Sequence, residues 1–150
     1  MSEPVFRRAS TEDAAAIAEV TAEVVSGPNP VGIDEPLSVP QAEQWLERLG
    51  EAGAIFLAEL DGSVAGFGAL DFDTQHPDTA TLGVWLKSRH RRLGLGTRLA
   101  ELLLEHAREH GFRRVVGRLP DGNEPALSFL SSIGGLVPII NPDMQFELPL

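Results

Sequence analysis

Residues 89–96 read Arg-His-Arg-Arg-Leu-Gly-Leu-Gly, inside a chain whose formal net charge is −10. Arg89, Arg91 and Arg92 stand directly ahead of Gly94 and Gly96. An acidic chain has little use for such a cluster unless an anion rests there. Glycine lets a backbone approach a phosphate closely, and a helix starting at Leu95 would add unpaired first-turn amides and the positive end of its dipole. Arg91 and Arg92 would add charge-assisted hydrogen bonds. The chemistry implied is the holding of a pyrophosphate. The charge distribution agrees: residues 87–118 hold nine of the twelve basic residues and three acids, a local charge of +6 against −16 elsewhere. The acidity of the remainder argues against a general nucleic-acid binder.

Those residues need elements to position them. Val5 to Arg8 reads as a strand, and Ser10 or Thr11 caps a helix with Ala14, Ile17, Ala18 and Val24 at helical spacing. A Pro- and Gly-rich loop spans 26–40. A second helix starts near Pro40, buries Trp45, Leu46 and Leu49, and ends at Gly50. Residues 54–72 form a hairpin turning at Asp61-Gly62, a loop covers 73–78, and 80–87 is a strand. Leu95 to His110 is an amphipathic helix with Leu95, Leu99, Leu102, Leu103 and His106 on one face, capped by Gly111. A strand at 114–119, a short helix from Asn123 to Ile133, and strands at 137–140 and 145–148 complete the chain. The order β-α-α-β-β-β-α-β-α-β-β predicts a single α/β domain over 1–150 with a mixed sheet.

Other function classes lack their residues. There is no cysteine, so neither disulfides nor thiolate metal sites are expected. His106 and His110 have i,i+4 spacing but no carboxylate completes a ligand set, so no metal is expected. No window reaches the length of a membrane span, and the first residues carry no apolar signal core. The expectation is a cytoplasmic protein without a membrane partner.

Residues 91–96 fit neither common nucleotide motif. A Walker A loop needs GxxxxGK[ST], and a dinucleotide fingerprint needs a third glycine where Leu99 stands. Arg91-Arg92-Leu93-Gly94-Leu95-Gly96 does match [Q/R]-x-x-G-x-[G/A], and in this it resembles the acyl-CoA pyrophosphate loop of the GNAT superfamily of N-acetyltransferases. The strand 81–86 before it, the helix and strand after it, Asn123-Glu124-Pro125-Ala126-Leu127 and Ile133-Gly134-Gly135 resemble that family's elements in order. The resemblance covers essentially the full chain and is most specific over 80–135.

The resemblance implies a central sheet of about seven strands, splayed between the fourth and fifth to admit acetyl-CoA, with about four helices. It implies that the fourth strand at Leu82, Val84 and Leu86 pairs with the pantetheine arm. The amides from Arg92 through Leu93, Gly94, Leu95 and Gly96 to Thr97 would hold the pyrophosphate. Asn123, with Ala126 in the same helical turn, would reach the arm from the other side, though Asn123 also reads as a plain helix cap. The reaction implied is direct transfer of an acetyl group to a primary amine of a small molecule or protein. A neutral amine is required, so a base must remove its proton. The nearest candidates are Asp71 and Asp73 at the end of the third strand, then His76 and Asp78 in the loop; Asp71 or Asp73 is favoured, and both also read as solvated strand-end acids. The family's tyrosine acid would fall at Leu130, and the chain has no tyrosine. Ser131 or Ser128 holding a water is one substitute; a non-catalytic acyl-CoA-binding domain on the same fold is the alternative reading. Family members are often homodimers, and nothing in this pattern addresses assembly.

Overall fold

β1 (Val5–Arg8), α1 (Ala14–Val25), α2 (Val39–Leu49), β2 (Ala54–Leu60), β3 (Ser63–Asp73), β4 (His76–Leu86), α3 (Leu95–Glu109), β5 (Arg114–Arg118), β6 (Pro138–Ile139) and β7 (Gln145–Leu148) follow in order in a computed structural model that describes residues 3–25, 36–87, 94–118, 138–139 and 145–148. The strands form one sheet in the order β1-β2-β3-β4-β5-β7-β6. Neighbours are antiparallel except β4 and β5, which run parallel with α3 as the crossover between them. The helix expected at 123–133 lies outside the described residues, which hold three α-helices.

Local chemistry explains the elements. Asp61 and Gly62 both have positive φ, 53° and 82°, and Leu60 faces Ser63, as a two-residue hairpin turn requires. Ser38 caps α2: its hydroxyl accepts from the Gln41 amide at 3.2 Å, and its own amide donates to the Gln41 side chain at 2.9 Å. Ser10 opens a single 3-10 turn, Thr11–Asp13, before α1, with its amide donating to the Asp13 carboxylate at 2.9 Å.

The core lies in two layers. On one face α1 and α2 cover Ile55, Leu57, Phe67 and Ala69; on the other α3 covers Ala54, Leu70 and Leu82. Alternate residues of β3 and β4 supply the two faces, which follows from the two-residue period of a strand. A Cβ on Gly68 would stand 2.8 Å from the Leu103 side chain, so the glycine sets how closely α3 sits.

Four expectations are corrected. His76 to Asp78 are strand rather than loop, because β3 and β4 continue pairing past an irregularity until Asp73 faces His76. Val20 and Thr21 join Ala14, Ile17 and Val24 in the buried stripe of α1, whereas Ala18 is half-buried. Of the residues expected on the inner side of α3, Leu102 is only half-buried, and Leu104 and Ala107 are buried instead. In α2, Leu49 and Ala42 are buried while Trp45 and Leu46 keep partial exposure.

Candidate active site

β5 pairs with β4 from Thr79–Arg114 to Leu82–Gly117, and β4 runs on to Leu86. The described part of β5 ends at Arg118, and no described strand takes the edge of β4 at Val84 and Leu86. α3 follows from Leu95. Gly94 is its N-cap with φ 79° and ψ 2°, a left-handed conformation that favours glycine. The first intrahelical bond runs from the Arg98 amide to the Gly94 carbonyl at 3.2 Å. The amides of Leu95, Gly96 and Thr97 therefore precede the hydrogen-bonded ladder. Among the described residues no atom lies within 4 Å of where a Cβ on Gly94 would stand. Three donors and a helix dipole make a seat that fits a phosphate. Arg91, Arg92 and Leu93, on the approach to this seat, lie outside the described residues, as do Asn123, Ala126 and Ser131.

A cavity of about 630 Å³ lies beside the end of the described β4–β5 pairing, on the α2 side of the sheet. Trp45 and Arg48 come from α2, Ala69, Asp71 and Asp73 from β3, and Thr81, Leu82, Gly83 and Trp85 from β4. Asp71 faces Thr81 and Ala69 faces Gly83 across the β3–β4 ladder, which is why they share one wall. Trp45, Phe67 and Trp85 form an aromatic cluster, with ring centroids 6.0 Å apart for Trp45–Phe67, 6.1 Å for Trp45–Trp85 and 5.0 Å for Phe67–Trp85. The Trp85 indole folds back over Gly83, where a Cβ would collide with the ring. Phe67 is core, whereas Phe72 and Trp85 line the cavity.

The two candidate carboxylates differ sharply. Asp71 accepts four hydrogen bonds: from Arg48 Nη1 at 2.8 Å and the Phe72 amide at 2.7 Å on Oδ1, and from Arg48 Nη2 at 2.7 Å and Trp45 Nε1 at 3.1 Å on Oδ2. Burial pushes its pKa up, but the Arg48 guanidinium, the Phe72 amide and the Trp45 indole outweigh that and hold it below the ordinary carboxylate value. A carboxylate saturated by donors is a poor proton acceptor. Asp73 is open: its side chain is 64% exposed, Oδ1 accepts from the Gln75 amide at 2.9 Å, and Oδ2 is 3.8 Å from His76.

Asp71 and Asp73, singled out from the sequence, line this cavity together with Trp45 and Arg48, which sequence reasoning did not single out. Trp45 was read as core, although a half-buried indole N–H needs an acceptor. Arg48 is one of three basic residues outside 87–118. Each of the three is bound: Arg7 to Asp13 and Glu59, Arg8 to the carbonyls of Gly50 and Gly53, and Arg48 to Asp71. Among them, only Arg48 lines the cavity. Among the described residues no cluster of metal-ligating side chains occurs, and no helix is long and apolar enough to cross a membrane.

Comparison with known proteins agrees with this geometry. The chain is 34% identical over 102 residues to a mycothiol acetyltransferase of Thermomonospora curvata, covering 67% of this chain and 32% of that protein. It therefore spans about a third of that relative's length. It is 28% identical over 132 residues to a phosphinothricin N-acetyltransferase of Streptomyces viridochromogenes, covering 86% and 72% of the two chains. A Salmonella typhimurium protein solved with its cofactor acetyl-CoA superposes with a TM-score of 0.79 at 21% identity, covering 97% of this chain and 91% of the other. Residues 21–134 match the profile of the acetyltransferase (GNAT) family. The glycine-capped helix and that match over most of its length carry one conclusion: the chain belongs to the GNAT family of acetyltransferases.

Proposed function

We propose that this chain is an acetyl-CoA-dependent N-acetyltransferase that moves an acetyl group directly to a primary amine. The observation carrying the reading is a coincidence of place: the described β4–β5 pairing ends at Leu82, and the cavity is lined by Thr81, Leu82 and Gly83 at that same point. The edge of β4 beyond Leu82 and the capped helix would seat acetyl-CoA, and the cavity would give the amine its approach.

The roles follow from the site. The amides of Leu95, Gly96 and Thr97, with Arg91 and Arg92, hold the pyrophosphate. The edge of β4 at Leu82, Val84 and Leu86, with Asn123 and Ala126 opposite, aligns the pantetheine arm. When bound, acetyl-CoA supplies a thioester carbonyl open to attack by an amine. Asp73 is the base of choice, because its carboxylate is open while that of Asp71 is occupied; it takes the amine proton directly or through one water. With no tyrosine in the chain, water held near Ser131 protonates the departing thiolate, whose reference pKa of about 8.5 makes it a tolerable leaving group.

The test is thiol release from acetyl-CoA across a panel of primary amines. Amine-dependent release is expected, and Asp73→Asn should lower kcat by roughly 100-fold or more. Full activity in Asp73→Asn would remove Asp73 from the mechanism. Acetyl-CoA binding without release from any amine would favour the acyl-CoA-binding domain instead.

A further inference from the structure

The cavity wall holds an arginine whose orientation is fixed by more than one group. Arg48 grips Asp71 end-on through both Nη atoms, at 2.8 and 2.7 Å. Asp71 is in turn fixed by the Trp45 indole and the Phe72 amide. An ordinary surface ion pair has no such backing and holds no fixed direction. Here the guanidinium is aimed, with 54% of the side chain still exposed. Its Nε–H and one N–H on each Nη have no partner among the described residues. A guanidinium has five N–H groups in a plane, and the free edge is a second fork that matches a carboxylate.

The rest of the wall completes a pattern. Asp73 offers an open carboxylate on the same cavity, and Trp45 and Trp85 offer two indole surfaces. A volume of about 630 Å³ suits a small molecule. A wall with one available cationic edge, one available carboxylate and two apolar rings complements a molecule carrying a carboxylate, an ammonium and an apolar side chain. Arg48 lines the cavity, so an amine with no anionic group would leave its free edge unanswered and would bring its own positive charge near the guanidinium.

We infer that the acetyl acceptor is an apolar 2-amino acid whose carboxylate is bound by the free edge of Arg48, with its amine beside Asp73 and its side chain on Trp45 and Trp85. Asp71 is then a positioning residue for Arg48. This rests on the acceptor role given to the cavity above. In the transfer, the ammonium gives one proton to Asp73, the amine nitrogen bonds to the acetyl carbon, the carbon–sulfur bond breaks, and the second nitrogen proton passes through water to the departing thiolate.

Two readouts separate this inference from the catalytic reading. The chain has two tryptophans, Trp45 and Trp85, and both line the cavity, so intrinsic fluorescence reports its occupancy. Apolar L-amino acids are titrated in the presence of CoA, each beside its amide and its decarboxylated amine, and thiol release from acetyl-CoA is followed for the same set. The free acid should bind about 10- to 100-fold more tightly than the amide, the scale of a charge-assisted bidentate contact. Arg48→Ala should bring that ratio close to one, and Arg48→Lys, which keeps the charge but not the fork, should keep part of it. Retained acetyl-CoA affinity in each variant shows that the fold stands. Amides or decarboxylated amines binding as tightly as the acids would overturn the inference, as would a ratio that survives Arg48→Ala. Acid-selective quenching without thiol release would uphold the carboxylate site and overturn the catalytic reading instead.

Discussion

At the scale of single residues, Asp71 and Asp73 show what composition conceals. Two residues apart on one strand, they are equivalent in sequence, and only the arrival of α2 tells them apart. Arg48, 23 positions before Asp71, fills the oxygens of one and leaves the other open. No local pattern announces that pairing, because it depends on where a helix docks on a sheet. The sign of its pH dependence follows from the lowered pKa of Asp71. A carboxylate with a depressed folded pKa stabilises the fold at pH above its unfolded value of about 3.9, and that contribution disappears as pH falls through the folded pKa. Asp71→Asn should therefore lower the unfolding midpoint at pH 7, and the gap from wild type should narrow toward pH 3. A constant gap in denaturant titrations at the two pH values would show that the Asp71 charge contributes nothing.

At the scale of elements, the sequence was informative wherever a local rule sufficed. The Asp61-Gly62 turn, the α2 start and the span of α3 follow from turn chemistry, capping and periodicity. The start of β4 did not: Pro77 and the polar run 73–78 read as loop, and cross-strand pairing overrode that preference. His106 is another case of context. It lies on α3, 6% exposed, with Nε2 donating to the carbonyls of Glu51 at 3.1 Å and Ala52 at 3.0 Å, and it stacks on His110 at 3.9 Å between ring centroids. Burial lowers its pKa; the nearby charges of His110 and Arg8 act the same way, and the two carbonyls oppose the shift without reversing it. With the folded pKa below the unfolded value of about 6.5, the unfolded chain takes up the proton first, so stability is complete above pH 6.5 and declines as pH falls below it. His106→Gln should flatten that decline between pH 7.5 and 5.5 in thermal unfolding; an unchanged slope would remove His106 as its source. Gly68 tests the packing of the same helix. Gly68→Val should force α3 away from β3 and cost about 1–3 kcal/mol of stability.

At the scale of the whole molecule, the charge map and the fold agree. The basic segment 87–118 runs from the end of β4 through α3 to β5 and leaves the remainder of the chain acidic. An anionic cosubstrate would be drawn to that segment, and its association should weaken steeply between about 0.01 and 0.5 M salt, where screening lengths fall from tens of ångströms to a few. The seat proposed for acetyl-CoA was legible in the sequence because its parts are contiguous: a strand, glycines and a helix start. The cavity proposed for the acceptor was not, because Trp45, Arg48, Asp71 and Trp85 meet only once the sheet and α2 have assembled.

The central claim is that the Gly94 end of α3 seats acetyl-CoA for transfer to an amine. Its most direct test is amine-dependent thiol release measured over a range of acetyl-CoA concentrations in wild type, Gly94→Asp and Gly111→Ala. Both glycines cap α3 with positive φ, 79° and 78°, at opposite ends, so both variants carry similar backbone strain. The account predicts that Gly94→Asp raises the KM for acetyl-CoA by more than about 10-fold, since it sets a carboxylate among the phosphate-binding amides, while Gly111→Ala keeps the wild-type value. An unchanged KM in Gly94→Asp would contradict it.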